Sequence, residues 1–312
     1  MEDVILHRIY ERAALCRAFE EECFRRIKAG QVTCPVYLSA GQEYIPATVS
    51  VWLDERGITD RQIFVQHRCH SHYLCFGGDP RALALELRGD PRGCAGGMGG
   101  SASIHWPPAN LYGHDGLMGT QVPIAVGACY ANRKPTICFL GDAAAEEDYV
   151  LAALGWASTQ SLPILFVAED NDLAILTKKR VRRSWNIHEV AKGFGLTADV
   201  VSDVPEELWR ALDDCKWPLL LNVRTTRKYW HAGAGCDDPN TFDRHLAVSA
   251  ALDAGYVMDV RFKALEQVKM AWENQCPRIG NFARCGLPLG HEGVHRNAHE
   301  EFIQIDVQSG SH

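Results

Sequence analysis

The stretch at residues 140–172, "LGDAAAEEDYVLAALGWASTQSLPILFVAEDND", decides the fold. An apolar run beginning at Thr136 ends in Gly141-Asp142, and a run of helical character follows. A second apolar run starts at Pro163 and ends in Glu169-Asp170-Asn171. Two short apolar runs separated by a helical one predict a strand–helix–strand unit with parallel strands. All strands of a parallel sheet end on the same edge, and ligands collect there. Asp142 and Asn171 are therefore expected to face one point above that edge. A hard cation such as Mg2+ takes oxygen ligands and shares its coordination shell with phosphate groups. The small residues Ala143, Ala144 and Ala145 would let the next helix's amides approach such an anion. Spacing alone also allows a plainer reading, with Asp142 as a helix N-cap and Asn171 as a turn residue.

The same alternation extends outward from this unit. A helix is predicted for "QVPIAVGACYANR" and a strand for "TICFLG". Beyond residue 172 come a helix, "NIHEVAKGFG", and a strand, "PLLLNVRTT". Toward the N-terminus, Ile5, Ile9, Leu15, Cys16, Phe19, Cys23 and Ile27 recur at helical spacing, with Gly30 as the stop. A second helix is predicted from Gly41 to Glu55, then a short strand in "RQIFVQHR" and a helix in "DPRALALELRG". A long helix is expected from about Leu246 to Asn274. Residues 89–120 are dense in glycine, yet His105, Trp106, Tyr112 and Met118 are unlike a flexible linker. An ordered loop close to a ligand is the better reading. The expected class is α/β, a parallel sheet with helices on both faces and a small C-terminal tail module. The expected units are residues 1–245, a C-terminal helix over 246–275, and a Cys/His tail over 276–312.

Composition narrows the function. The chain has 312 residues, 46% of them hydrophobic, enough for a substantial core. A formal net charge of -7 argues against general binding of nucleic acid, whose phosphates call for a basic surface. No apolar run approaches the roughly eighteen residues of a membrane span. The charged N-terminus is unlike a secretory signal. Of the 12 cysteines, several sit inside apolar runs, as Cys16, Cys129 and Cys138 do, which suits free thiols and a cytoplasmic setting.

Five ordered segments carry a resemblance. Besides Gly141-Asp142 and Asn171, they are "SAGQEYIPATVSVWL", "QHRCHSHYLCFGGDPRALALELRG", "GCAGGMGGS", "GLMGTQVPIAVGA" and "TTRKYWHAG". Together they resemble the alpha subunit of the decarboxylating component of thiamine diphosphate-dependent 2-oxo acid dehydrogenases, the pyruvate, branched-chain and acetoin type. The resemblance implies a thiamine diphosphate-binding fold. It implies Mg2+ held by Asp142, Asn171 and the backbone carbonyl of Leu173. Arg68 would pair with the terminal phosphate, with His67 beside it where the family usually has Tyr. Gly116 and Met118 would offer backbone to the aminopyrimidine, and Gly141, Ala143 and Ala144 would line the diphosphate. His70 and His231 would be the catalytic histidines.

Several positions depart from the family's pattern. Ala143 stands where glycine is usual, Ser71 follows His70 where glycine is usual, and His72 comes next. The loop "TKKRVRRSWN" is unusually basic, which suits either a solvated face or the attraction of an anionic substrate or acidic partner. The chain shows no second alternating set long enough for a pyrimidine-binding domain. A beta subunit is therefore expected to supply that domain and its activating glutamate, in an alpha2-beta2 assembly. A lipoyl acyltransferase would be the acyl acceptor. The alternatives are half of a two-chain carboligase or transketolase-like enzyme, and an inactive paralogue serving as partner or scaffold. Finally, "CPRIGNFARCGLPLGHEGVHR" places Cys276, Cys285, His291 and His295 in one short segment. Two thiolates and two imidazoles suit structural Zn2+; a histidine-containing tail without metal is the competing reading.

Overall fold

A strand that is apolar at every position has no face to give to water, so it must lie between two layers. The computed structural model describes residues 1–273 apart from positions 215, 234, 237 and 239, and in it the central strands do so. The strands of the main sheet are β1 (Gln62–Phe64), β2 (Leu111–Tyr112), β3 (Thr136–Gly141), β4 (Ile164–Asp170), β7 (Thr197–Ser202) and β8 (Leu219–Arg224). They are all parallel, in the order β2-β1-β3-β4-β8-β7. A separate antiparallel hairpin, β5 (Leu173–Ala174) and β6 (Thr177–Lys178), follows β4 directly.

Alternate side chains of each central strand go to opposite layers. Ile137 and Phe139 of β3, Leu165 and Val167 of β4, and Leu219, Leu221 and Val223 of β8 enter one core. That core is covered by residues of α1 (Asp3–Lys28), α2 (Tyr44–Glu55), α3 (His70–Cys75), α4 (Pro80–Glu86), α9 (Pro205–Asp214) and α11 (Ala254–Glu273). Cys138, Leu140, Phe166 and Leu220 enter the other core. There they meet α5 (Gln121–Asn132), α6 (Asp148–Thr159) and α8 (Ile187–Gly193). The α/β class with helices on both faces is as expected, and the thiol side chains of Cys16, Cys129 and Cys138 are buried as small apolar groups.

Three differences from the sequence reading have local causes. The segment expected as one helix over residues 246–275 is two, α10 (Arg244–Ala251) and α11. Leu252 is extended, and the Asp253 carboxylate accepts the Tyr256 amide at 2.9 Å, which restarts the helix. The sequence reading also missed β7 and α9. β7 is an edge strand with several exposed positions, so it lacks the apolar run that marks β3 and β4. α9 carried a usable signal in its first-turn Pro205, Glu206 and Glu207. The proposed zinc ligands Cys276, Cys285, His291 and His295 lie outside the described residues.

The glycine-dense loop is ordered by one buried carboxylate. Glu86, at the end of α4, is fully buried. Its Oε2 accepts the amides of Ala95 and Gly97, each at 2.8 Å, and its Oε1 those of Gly99 and Gly100, at 2.8 and 3.0 Å. Backbone amides can converge on an anion in this way only where side chains are small enough to stay clear. Glu86→Gln turns one acceptor oxygen into a donor facing amide hydrogens. It should cost about 2–4 kcal/mol, the loss of two charge-assisted bonds, in urea unfolding. Amide exchange at residues 95–100 should accelerate selectively.

Candidate active site

The strand order reverses between β1 and β3, and a crevice opens there above the carboxyl ends of the sheet. A cavity of about 350 Å3 lies in that crevice. Gln66, His67 and Arg68 come from the segment after β1; Gly141, Asp142, Ala143 and Ala144 from the end of β3; and Asn171 and Leu173 from the end of β4. The far wall is made by His114, Met118 and Gly119 from the second glycine loop, and by Arg227 and His231 after β8.

Register explains the acid set. Gly141 pairs with Glu169 across β3 and β4, so the next step of each chain brings Asp142 beside Asp170, with Asn171 following. Asp142 is 2% exposed. Burial and the charge of Asp170 push its carboxyl above the usual range, against the pull of Arg182 and Arg183. At Asp170 burial also opposes ionisation, but the hydrogen bonds from Lys179 and Asn222 outweigh it and hold the carboxyl low. The Asn171 carboxamide is oriented from both ends: its Oδ1 accepts the Leu173 amide at 3.1 Å, and its Nδ2 donates to Gln42 Oε1 at 3.3 Å. Gln42 is placed by Gly41, whose φ is +99°; a Cβ there would meet the Thr226 carbonyl at 2.3 Å. The Gly-Gln-Glu segment thus reaches the site through Asn171.

The opposite wall is basic. Arg68 Nη1 donates to the Leu38 carbonyl at 2.7 Å, and its Nη2 lies 3.3 Å from the His231 carbonyl. The rings of His67 and His231 are 5.3 Å apart, those of His67 and His114 are 5.9 Å apart, and Tyr37 packs edge-on against His67 and His231. Burial, Arg68 and the two neighbouring imidazoles push His67 down to about 2, so it is neutral at physiological pH. Its Nε2 is buried without a hydrogen-bond partner among the described residues. Between the walls, Ala143 has a helical backbone, φ -72° and ψ -35°, so no glycine is needed there. A single 3-10 turn, Ala144–Glu146, precedes α6, so the cavity is bordered both by this turn and by Glu147, the N-cap of α6.

Most of the expected site residues meet in this cavity; two do not. Gly116 lies in the loop between the lining residues His114 and Met118 but does not itself line the cavity; its φ is +113°. His70, expected at the substrate, is fully buried away from the cavity. Its Nδ1 sits 3.0 Å from Glu20 Oε1 and its Nε2 2.8 Å from Ser101 Oγ, so it ties α3 to α1 and to the glycine loop. His114, Gln66 and Arg227 were missed by the sequence reading; Arg227 lies within the quoted "TTRKYWHAG".

The profile of the dehydrogenase E1 component family matches residues 11–205. This chain belongs to that family. Relatives named pyruvate dehydrogenase E1 component subunit alpha match over most of their length. The one from Rickettsia conorii is 28% identical over 282 residues, covering 81% of this chain and 84% of the relative. The one from Rickettsia typhi is 30% identical over 241 residues, covering 72% and 71%. The one from Zymomonas mobilis is 29% identical over 244 residues, covering 74% and 67%. Among solved structures, transketolase from Campylobacter jejuni superposes with a TM-score of 0.56 at 15% identity, covering 88% of this chain and 48% of that one. That likeness shows the fold alone, and the chain spans about half the length of the transketolase. Within the E1 component family, the relatives place the chain as the alpha subunit of a decarboxylating 2-oxo acid dehydrogenase.

Family membership implies thiamine diphosphate with a divalent cation, and the cavity fits both. One carboxylate and one carboxamide stand at adjacent strand ends, and Asp142 already grips a cation in the form of the Arg182 guanidinium. The orphaned His67 Nε2 and the Arg68 guanidinium suit phosphate oxygens. Burial of neutral histidines also gives a signature. His67 and His245, the latter pushed down to about 3 chiefly by burial, bind their proton in the unfolded chain below about pH 6.5 but stay neutral when folded. Their neutrality therefore stops favouring the fold as the pH drops. Stability should fall below about pH 6 by up to about 1.4 kcal/mol per pH unit for each histidine. Urea unfolding between pH 7 and 5 should show a shallower decline in His245→Gln than in the parent chain.

Proposed function

We propose that this chain carries the diphosphate-binding half of a two-chain thiamine diphosphate active site that decarboxylates a 2-oxo acid. The single observation behind this is that Asp142 and Asn171 line one cavity together with Arg68, His67 and His231. Asp142, Asn171 and the Leu173 carbonyl would hold Mg2+, leaving further positions for diphosphate oxygens. Arg68 and His67 would hold the terminal phosphate. Thiamine diphosphate, when bound, supplies the electron sink that decarboxylation needs.

The chain's own residues then have distinct tasks. His231 stands on the cavity wall beside Arg68 and His67, where a ring nitrogen can hold or pass a proton next to the phosphate-binding groups. Gln42 keeps the Asn171 oxygen aimed at the metal by holding its amide group. Tyr149 donates its hydroxyl to the Met118 carbonyl, which fixes the loop expected to meet the aminopyrimidine. His70 serves as a positioning residue, through Glu20 and Ser101.

A partner is needed to close the site. Met118 and Ile175 line the cavity yet are 40% and 60% exposed, and Leu117 and Leu176 beside them are 66% and 68% exposed. An apolar rim around a polar cavity suits a protein cover. A beta subunit would provide that cover, the pyrimidine-binding domain and the activating glutamate, in an alpha2-beta2 assembly. A lipoyl acyltransferase would take the acyl group.

The test is to purify the chain with and without a co-expressed beta subunit and to supply 2-oxo acids with an artificial electron acceptor. The chain alone should be inactive, and the complex should reduce the acceptor. Asp142→Asn, which keeps the hydrogen bond to Arg182, should bring the rate to background with the melting temperature within a few degrees. A new carbon–carbon bond, formed when an aldehyde is added, would assign the complex to the ligases instead.

A further inference from the structure

The basic loop after β4 is only in part a solvated face. It runs through the β5–β6 hairpin into α7 (Lys179–Arg182); Lys178 and Arg180 are exposed, while Lys179, Arg182 and Arg183 turn inward onto the strand ends. Lys179 pairs with Asp170. Arg182 Nη2 donates to Asp142 Oδ2 at 2.7 Å, and its Nη1 pairs with Glu146. Arg183 Nη1 donates to the Asp142 carbonyl at 2.6 Å and to Glu146 Oε1 at 2.8 Å, while its guanidinium stacks on Trp185 at 4.7 Å. The side chains of Arg182 and Arg183 are only 11% and 3% exposed.

The carboxylate gripped by Arg182 is the one assigned to the metal. Mg2+ needs an Asp142 oxygen at about 2.0–2.1 Å and tolerates little departure from octahedral geometry. A guanidinium bonded to the same buried carboxylate would stand beside the ion as a like charge in a poorly solvated place. The two cations therefore compete for one buried negative charge, and each weakens the other's hold on it. Arg183 does not share the conflict, because it bonds the Asp142 main-chain carbonyl and Glu146. The loop bearing Arg182 also begins at Asn171 and Leu173, the other assigned ligands, so movement at one reaches the other through a short hairpin.

We infer that Arg182 is a resident counter-cation of Asp142 that competes with Mg2+, so that loading of the metal–diphosphate requires its release and its strength sets the loading affinity. This rests on the cofactor reading above. The competition is local: Glu146 remains as a partner for Arg182 once Asp142 is given up. It also gives the basic loop a role distinct from attracting an anionic substrate.

The proposed site is closed by a beta subunit, so the test uses the full chain in complex with a co-expressed beta subunit. Binding of Mg2+–thiamine diphosphate is measured by titration calorimetry at fixed ionic strength for the parent, Arg182→Gln, Arg182→Met and Arg182→Lys, with melting temperatures recorded beside each. The uncharged variants should bind about tenfold more tightly, the scale of one charge-assisted hydrogen bond. Arg182→Lys should stay near the parent. Equal affinity in all four overturns the competition and leaves the cofactor site standing. Weaker binding by the uncharged variants overturns it too, and makes the guanidinium a diphosphate ligand. Loss of the fold in both uncharged variants makes Arg182 structural and likewise overturns the competition. No binding by any complex, the parent included, removes the cofactor reading and the competition together.

Discussion

The structure depends on how a parallel sheet disposes of charge at its carboxyl edge. Strands that run the same way end together, so acids following neighbouring strands are forced side by side. Here the register of β3 and β4 leaves Asp142 and Asp170 adjacent and almost wholly buried. Two carboxylates out of water in contact repel and lose their hydration, and neither cost is met without cations. The chain supplies Lys179, Arg182 and Arg183 within one short segment just after β4. A net charge of -7 over the whole chain hides this local balance.

The same constraint shapes how the surrounding charged groups are paired. Asn222 of β8 supports Asp170 from the next strand at 3.0 Å. Beneath the cavity, Glu169 of β4 is 1% exposed; it accepts from Gln66, and its Oε1 lies 3.2 Å from His72 Nε2. Further in, Arg17 joins Glu43 at 2.5 Å and Asp243 at 2.7 Å, tying α1 to the Gly-Gln-Glu segment and to the N-terminus of α10. Each of these buried acids thus meets a donor from a different element, with Arg17 shared between Glu43 and Asp243. Removing one partner would strand the other, which is the costly direction for buried pairs. The edge is rigid because its charges are shared among strands, helices and loops.

What the sequence disclosed follows the same logic. β3 and β4 were legible because total burial demands unbroken apolar runs, and the acids at their ends interrupt those runs conspicuously. The meeting of Asp142 with Asn171 followed from topology alone. The assembly of His231 with the neighbours His67 and Arg68 came through resemblance, since nothing in the spacing along the chain relates His231 to that pair. β7 escaped notice because an edge strand half open to water has no such run. His70 illustrates a different limit. Its place two residues after Arg68 in the chain does not say whether it enters the cavity, and it pairs instead with a buried glutamate on α1. The cations of the basic loop were visible as a cluster, but their direction was not, because inward and outward arginines have the same local sequence.

The arrangement of the two walls also bears on what the cavity selects. A free diphosphate entering it would find Arg68 and the histidines but also the Asp142 carboxylate, which repels it. A free divalent cation would find Asp142 and Asn171 but must displace the Arg182 guanidinium. Neither charge alone is well matched. A metal–diphosphate complex carries both signs at a fixed separation and satisfies acid wall and basic wall together, so the attraction at one end offsets the cost at the other. The neutral state of His67 sharpens this, because an uncharged imidazole can donate one hydrogen bond to phosphate without adding to the affinity for bare anions. On the proposed function, selection for the complex over its parts would follow from the opposed charges of a single crevice, and the apolar rim at Met118 and Ile175 would be left for the organic portion of the ligand and for a covering chain.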